Sequence, residues 1–230
     1  MRDGLLFLFD IDGTLLRRMP PAHRHAISDA AQEVYGVTLA AGDMGSTAGM
    51  TDTAIIRRVV LSRGVTDAAL WAGLPAFFES ASIAYTRHVP ADLRAYHTPF
   101  AGETLAWLAE RGASLGLVTG NIEGIAWTKL KAAGIADYFR CGAFGDEAEL
   151  RDSLPPLALA RAQAVFARDF TPEQVYVVGD TPADIQCGAA SGLRTIGVAT
   201  GPEHSLDHLR ACSPTSVFDD LRGLRTLEER

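Results

Sequence analysis

The chain has 230 residues, with 28 acidic and 21 basic side chains and a formal net charge of −7. Hydrophobic residues make up 47% and charged residues 21%, a balance that is typical of a folded globular protein and excludes an intrinsically disordered chain. The acidic charge argues against a non-specific nucleic-acid-binding protein, which needs clustered Lys and Arg. No segment reaches the roughly 18–20 apolar residues of a membrane-spanning helix, so we expect no contact with a membrane.

Two features indicate a cytoplasmic protein: the short apolar run near the start of the chain, and the number and spacing of the cysteines. The apolar run from Leu5 to Phe9 stops at Asp10 and is too short for the core of a signal peptide. The cysteines are few, odd in number and without CxxC spacing, which predicts reduced thiols and no zinc site: Cys141, Cys187 and Cys212. We therefore expect a cytoplasmic monomer or homodimer.

Continuous apolar runs predict the strands of a parallel sheet, because a strand covered on both faces shows no alternation of polar and apolar side chains. In chain order the runs lie at 5–9, 114–119, 175–179 and 195–198, with weaker strands at 141–144 and 216–218. Helical patterns lie between them, at 102–111, 122–133, 155–168 and 182–191. This alternation predicts an α/β fold with a doubly wound parallel sheet.

One long interval after the first strand breaks the alternation. Apolar stripes at helical spacing begin near Ile27 and Phe77, and Thr51 is placed to cap another helix. Because this interval shows no convincing strand, we predict an all-helical insert at 17–96, carried by a core formed from 1–16 and 97–230.

Acidic and hydroxyl side chains follow three of the predicted strands. Asp10 and Asp12 follow the first strand, Thr119 closes the second, and Asp180 and Asp184 follow the third. The carboxyl ends of parallel strands share one edge of the sheet, which is where such folds bind ligands. Gathered carboxylates repel one another unless a cation holds them, and hard oxygen ligands suit Mg²⁺. The sequence therefore predicts a Mg²⁺ site at Asp10, Asp12 and Asp180.

Three segments at these strand ends carry a family resemblance. Residues 10–14 (Asp-Ile-Asp-Gly-Thr), 118–121 (Val-Thr-Gly-Asn) and 178–184 (Val-Gly-Asp-Thr-Pro-Ala-Asp) are similar to motifs one, two and four of the haloacid dehalogenase superfamily, in the same order. The helical insert resembles the first type of cap domain in that superfamily, and 45–52 resembles the cap loop of phosphoglycolate-phosphatase-like members. The resemblance implies a Mg²⁺-dependent phosphatase whose partner is a small phosphorylated metabolite, either phosphoglycolate-like or a sugar phosphate.

The resemblance also implies a role for each acid. Asp10 resembles the nucleophile that attacks phosphorus and becomes an aspartyl phosphate. Asp12 resembles the general acid and base, and its backbone carbonyl would also bind Mg²⁺. Asp180 resembles the second carboxylate ligand of the metal, with Asp184 as a further ligand or as support for the ligands.

Phosphate binding is implied for the second motif. Thr119 would donate its hydroxyl to a phosphoryl oxygen. The backbone N–H groups around Gly120 and Asn121, at the start of the following helix, would assist it.

The third motif of the superfamily, usually a lysine, departs from the pattern in this chain. Lys129 and Lys131 come too soon after Thr119, on the helix that follows it. Arg151 precedes a predicted helix and Asp180, so we predict that its guanidinium replaces the lysine and binds phosphate. The alternative is a surface arginine, with catalysis relying on Mg²⁺ alone.

The histidines offer no second metal site. None of the six has metal-ligand spacing with nearby acids, and we interpret them as surface or packing residues. The alternative for His23 or His25 is a place that faces the active site from the insert.

Three other functions remain open or are disfavoured. A phosphomutase of the β-phosphoglucomutase type shares the same motifs, and their spacing leaves it open. A 2-haloacid dehalogenase is disfavoured by Asp12, since displacement at carbon–halogen bonds needs no acid for a departing alkoxide. A non-enzymatic phospho-acceptor domain is disfavoured by the helical insert and by the lack of a lysine at a strand end.

Overall fold

A computed structural model describes residues 4–17, 21–40 and 42–229, and its centre is one parallel sheet. The strands of the described residues are β1 (Leu6–Phe9), β2 (Ser114–Val118), β3 (Gly142–Ala143), β4 (Val175–Gly179), β5 (Arg194–Val198) and β6 (Ser216–Phe218). They are hydrogen-bonded in the order β3-β2-β1-β4-β5-β6, and every pairing is parallel. Each strand lies within a residue or two of its predicted position.

Helices connect and cover the strands. They are α1 (Ala22–Tyr35), α2 (Asp52–Leu61), α3 (Asp67–His88), α4 (Ala101–Glu110), α5 (Glu123–Ala132), α6 (Leu154–Phe166), α7 (Pro182–Ala190) and α8 (Leu206–Ala211). The predicted cap forms, since the Thr51 side chain accepts a hydrogen bond from the Ala54 N–H at the start of α2. Thr181 likewise accepts one from the Asp184 N–H at the start of α7. Within the described part of the chain, no helix is both long and apolar enough to cross a membrane.

The alternation of side chains along β1 separates two halves of the core. Phe7 and Phe9 pack on one face of the sheet, with residues of α4 and α5. Leu6 and Leu8 pack on the opposite face, with residues of α6 and α7. Helices therefore cover both faces, and connections leave β1 toward β2 on one side and β4 on the other. The prediction of a doubly wound parallel sheet is confirmed.

Helices α1, α2 and α3 form a further layer with a hydrophobic cluster of its own. Ile27, Ile56 and Phe77 are buried in that cluster, one from each helix. Ile122 and Ile125, at the start of α5, are buried in the same cluster. The predicted helical insert is therefore present and packs on α5. Its predicted bounds, 17–96 between 1–16 and 97–230, include residues outside the described ranges and remain a prediction.

The start of α2 is hydrogen-bonded to loops at the carboxyl edge of the sheet. The Asp52 N–H donates to Gly120 O at 2.7 Å, and the Thr53 hydroxyl donates to Gly145 O at 2.6 Å. A Cβ on Gly120 would lie 2.0 Å from Met50 O, so the two backbones meet with no room for a side chain. The insert thus covers the edge at which the acidic residues lie.

Candidate active site

A cavity of about 670 Å³ lies between the carboxyl edge of the sheet and the helical insert. Asp10 and Asp12, after β1, and Asp180, after β4, line its sheet side. His23 and Ile27 of α1 line its insert side. The strands β2, β1 and β4 are neighbours in the sheet, so the acids that follow β1 and β4 meet across their shared edge as predicted.

Three aspartates form a buried cluster in this cavity. Each of Asp10, Asp180 and Asp184 offers a carboxylate oxygen, and these oxygens lie within 4.8 Å of one another. Burial, and then the charge of Asp184, raises the pKa of Asp10 and of Asp180 above the usual range of a carboxyl group. The cluster is therefore costly to ionise unless a cation joins it.

Arg151 is one cation beside this cluster. Its Nη2 donates to Asp10 Oδ1 at 3.0 Å and also to Asp184 Oδ1. The side chain is only 8% exposed, and a short 3₁₀ turn before α6 carries it. Its Nε is buried without a hydrogen-bond partner in the described part of the chain. Arg151 thus holds one oxygen of Asp10 and has donor capacity left over.

Asp12 is held by a different cation. Lys129 Nζ lies 2.5 Å from Asp12 Oδ2, and the amide of Asn121 donates to the same oxygen at 2.9 Å. Although burial opposes ionisation of Asp12, the charge of Lys129 and these hydrogen bonds keep its pKa below the usual value. The exposed part of the Asp12 side chain borders the cavity. Asp12 is therefore not in the three-aspartate cluster, and its side chain pairs with Lys129.

The insert contributes a hydrogen-bonded pair to the same region, formed by the partly exposed His23 and the buried Asp52. His23 Nε2 lies 2.9 Å from Asp52 Oδ2, which also accepts the Ile122 N–H at the start of α5 at 2.8 Å. His23 Nδ1 lies 3.3 Å from Lys129 Nζ. Asp52 is 2% exposed, so its charge is satisfied by these donors rather than by water. The pair connects α1 and α2 with α5.

Two glycines make room for the carboxylate of Asp180. A Cβ on Gly13 would lie 2.2 Å from Asp180 Oδ2, and a Cβ on Gly201 would lie 1.7 Å from the same oxygen. Gly13 also has a φ of 88°, in the left-handed region that favours glycine. Thr14 fixes the other oxygen by donating to Asp180 Oδ1 at 3.1 Å. Asp180 is therefore positioned on both sides of its carboxylate.

The charge balance of the site fits a divalent cation. The three clustered aspartates and Asp12 face two cations, Arg151 and Lys129. Two negative charges remain, and they fall on the cluster whose carboxylates resist ionisation without a cation. Carboxylate oxygens are the ligands that Mg²⁺ prefers. The residues present thus fit Mg²⁺, with Asp10, Asp180 and Asp184 as the side chains that could hold it.

Comparison with known proteins identifies the family. The model of the haloacid dehalogenase-like hydrolases matches residues 5–192 of the chain, which is most of its length. The chain belongs to the haloacid dehalogenase-like hydrolase family.

Curated relatives of this hydrolase carry the name phosphoglycolate phosphatase. One from Cereibacter sphaeroides is 30% identical, over 93% of this chain and 95% of its own. One from Pseudomonas putida is 26% identical, over 95% of this chain and 78% of its own. A solved structure, β-phosphoglucomutase from Clostridium difficile, superposes with a TM-score of 0.70 over 97% of this chain and 95% of its own. At 18% identity that similarity shows a shared fold.

The residues predicted for phosphate binding are brought together in this haloacid dehalogenase-like hydrolase, with one difference in their placement. Gly120 and Asn121 line the cavity. Thr119 is fully buried, does not line the cavity, and accepts a hydrogen bond from the Asn121 amide at 2.6 Å. Donation of the Thr119 hydroxyl to a phosphoryl oxygen therefore stays a prediction.

Three residues of the site were missed or misjudged from the sequence. Lys129 was set aside because of its position after Thr119, yet it lies in the site, on Asp12 rather than on Asp10. His23 was interpreted first as a surface or packing residue, with a place facing the active site as the alternative, and it is the alternative that the structure shows, since His23 lines the cavity and contacts Lys129. Asp52 was named only as the last residue of the segment 45–52 that resembles a cap loop, with no role of its own. The contacts of His23 and Asp52 form only when the insert packs on α5, so spacing along the chain does not reveal them, whereas the Lys129–Asp12 pair joins two segments of the core.

Proposed function

We propose that this hydrolase is a Mg²⁺-dependent phosphatase that cleaves a small phosphorylated metabolite through an aspartyl phosphate on Asp10. One observation carries the proposal: Asp10 lies in the cavity, within the acidic cluster, and only one of its two oxygens is held by Arg151. The other oxygen is available to attack a phosphoryl group. Of the three clustered carboxylates, Asp10 is the one that both accepts a hydrogen bond from Arg151 and follows the central strand β1.

In the first half-reaction, the free oxygen of Asp10 attacks phosphorus, and the bond from phosphorus to the leaving oxygen breaks. Asp12, which rests ionised beside Lys129, takes a proton from solvent and passes it to that oxygen, so the product leaves as an alcohol. Arg151 keeps its contact with Asp10 Oδ1 and turns its spare donors toward the phosphoryl oxygens. The backbone around Gly120 and Asn121, which lines the cavity, can donate to the same group.

In the second half-reaction, water attacks the phosphorus atom of the aspartyl phosphate. Asp12, now ionised, takes a proton from that water, and the bond from Asp10 to phosphorus breaks to release inorganic phosphate. The charge of Lys129 beside Asp12 favours this ionised form. Asp12 thus serves as acid in the first step and as base in the second.

A bound Mg²⁺ supplies positive charge that offsets the repulsion between the Asp10 carboxylate and the phosphoryl group. Asp10, Asp180 and Asp184 would hold it, with the backbone carbonyl of Asp12 as a further ligand. Thr14 and the glycines around Asp180 keep one of these carboxylates in a fixed place. The chain's own contacts therefore fix the position of the Asp180 carboxylate independently of the metal.

The names of the curated relatives support a phosphoglycolate-like substrate. Two proteins named phosphoglycolate phosphatase align with nearly the whole chain at 26% and 30% identity. The likeness to a β-phosphoglucomutase is one of fold, at 18% identity, and does not favour a mutase. The substrate we propose is 2-phosphoglycolate or a sugar phosphate of similar size.

The test is phosphate release from a panel of phosphorylated metabolites in the presence of Mg²⁺, ranked by kcat/KM. We expect 2-phosphoglycolate near the top of the ranking and no release by the Asp10→Asn variant. Equal rates in the wild-type chain and Asp10→Asn would remove Asp10 as the nucleophile. An isomerised sugar phosphate as the product, without free phosphate, would favour the mutase.

A further inference from the structure

Lys129 is a buried charged side chain that the proposed steps use only through its effect on Asp12. It lies on α5, it is 1% exposed, and its helix neighbour Lys131 is exposed. A buried ammonium group costs several kcal/mol unless charged and polar partners surround it. The partners of Lys129 therefore indicate its role.

The partners of Lys129 use all three of its protons. Nζ lies 2.5 Å from Asp12 Oδ2, 2.6 Å from Asn121 Oδ1 and 3.3 Å from His23 Nδ1. An ammonium group has three donors and no acceptor. His23 Nε2 faces the Asp52 carboxylate, and the tautomer that donates there leaves Nδ1 as the acceptor of the third proton. With that tautomer no donor is left for a phosphoryl oxygen of the substrate, so Lys129 acts through the residues that it holds.

The same contacts leave one oxygen of Asp12 available to the substrate. Lys129 and the Asn121 amide both bind Oδ2, while Oδ1 has no hydrogen bond within the described residues. Asn121 is itself fixed, because its amide nitrogen also donates to Thr119. The Asp12 carboxyl is thus held by one oxygen, and Oδ1 is the atom from which a proton can reach the leaving group.

We infer that Lys129 is a positioning residue that fixes Asp12 for proton transfer to the leaving group. The inference rests on the proposed function, in which Asp12 is the general acid. Lys129 and Asn121 together hold Asp12 Oδ2, and Oδ1 delivers the proton to the oxygen that departs from phosphorus. Loss of Lys129 leaves Asp12 in the site but no longer oriented.

The experiment compares two substrates of similar size whose leaving groups differ in basicity. Phenyl phosphate has a poor leaving group that needs a proton, whereas 4-nitrophenyl phosphate has a good one that departs without help. In Lys129→Met, we expect kcat/KM for phenyl phosphate to fall roughly 100-fold and that for 4-nitrophenyl phosphate to fall about tenfold or less. The ratio of kcat/KM for 4-nitrophenyl phosphate to kcat/KM for phenyl phosphate therefore rises by about tenfold or more. Because both rates come from one preparation, the ratio does not depend on the fraction of enzyme that is correctly folded.

The matched control is Lys131→Met, the same substitution on the same helix at an exposed position. It should leave both rates and their ratio as in the wild-type chain. An unchanged ratio in Lys129→Met, with equal losses for the two substrates, would overturn the inference and leave Lys129 as a structural residue.

A second variant tests whether Lys129 acts through Asp12. In an Asp12→Asn background, which removes the charge that Lys129 balances, the further change Lys129→Met should alter kcat/KM for phenyl phosphate by less than about twofold. A further loss as large as that of the single variant would show that Lys129 acts on the substrate directly. The Asp10→Asn variant separates a failure of this inference from a failure of the proposed function. If Asp10→Asn stays active, the proposed function is wrong. If Asp10→Asn is inactive and the substrate ratio is unchanged in Lys129→Met, only the role of Lys129 is wrong.

Discussion

A single guanidinium nitrogen of Arg151, Nη2, lies 3.0 Å from Asp10 Oδ1 and also donates to Asp184. It links the acid after the central strand β1 with the acid at the start of α7. Asp12 pairs with Lys129 instead. Asp10 and Asp12, only two residues apart, are therefore held by different cations. This division separates the proposed nucleophile, with its metal ligands, from the proposed acid and base.

Arg151→Lys should show how far activity depends on the forked guanidinium. A lysine keeps the charge, but it offers no planar fork for Asp10 and the phosphoryl group together, so we expect kcat to fall by roughly 10- to 100-fold. The measurement is steady-state kinetics on the best substrate of the panel. The control is Arg161→Lys, since Arg161 pairs with Glu147 at the surface and should change kcat by less than about twofold. Wild-type kcat in Arg151→Lys would contradict a role for the fork.

Stability without metal should fall as the pH rises. Burial and neighbouring carboxylates raise the pKa of Asp180 to about 8 and that of Asp10 to about 7, while both lie near 3.8 in an unfolded chain. Between these values the folded state holds protons that the unfolded state releases, so each rise in pH favours unfolding. In a chelator, we expect the Tm to decrease from about pH 5 to about pH 8, and Mg²⁺ should raise the Tm more at the higher pH. A Mg²⁺ effect of equal size across this window would contradict the account of the cluster.

Asp180→Asn should be less active than the wild-type chain but more stable in the absence of metal. An amide keeps the size of the side chain and can accept the Thr14 hydrogen bond, but it removes one charge from the cluster. At about pH 8 in a chelator, we expect this variant to have a higher Tm than the wild-type chain, no Mg²⁺-induced rise and little activity. Asp207→Asn, at an exposed acid paired with Arg210, is the control and should behave as the wild type does. A lower Tm for Asp180→Asn in the chelator would show that repulsion in the cluster is not costly.

Gly13→Ala should damage the site more than the fold. The φ of 88° and the 2.2 Å separation between a Cβ and Asp180 Oδ2 predict both backbone strain and displacement of the carboxylate. Gly192→Ala provides the control for strain, because Gly192 has a φ of 69° and open space around a Cβ. Strain alone costs about 1–2 kcal/mol of unfolding free energy, which both variants should show in urea denaturation. Mg²⁺-dependent activity should be lost in Gly13→Ala alone, and equal activities would mean that Asp180 is not held by this contact.

The sheet and its acids could be predicted from the sequence because their signals are local. Continuous apolar runs identify β1, β2, β4 and β5, and the parallel fold brings the residues after β1 and β4 to one edge. Asp10 and Asp180 are 170 positions apart along the chain, and the strand order alone is enough to predict that they are neighbours.

The partners of Asp12, Lys129 and Asn121, both lie in the core, and the sequence carries a weaker signal for Lys129 than for the acids. Lys129 falls seven residues after Ile122, on the apolar stripe shared by Ala126 and Leu130. A charged residue on a buried stripe needs a buried partner, and that pattern could have indicated a site residue. His23 has no comparable signal, because its contact with Lys129 joins α1 to α5 across the interface between insert and core.

The most direct test of the central claim is to find the phosphoryl group on Asp10. The enzyme would be mixed with substrate and Mg²⁺, quenched in acid within one turnover, digested and analysed by mass spectrometry. We predict a phosphorylated peptide that contains Asp10, which forms and decays at rates that account for turnover and is missing from Asp10→Asn. Phosphate release at the normal rate with no phosphorylated Asp10 at any time of quenching would contradict the account.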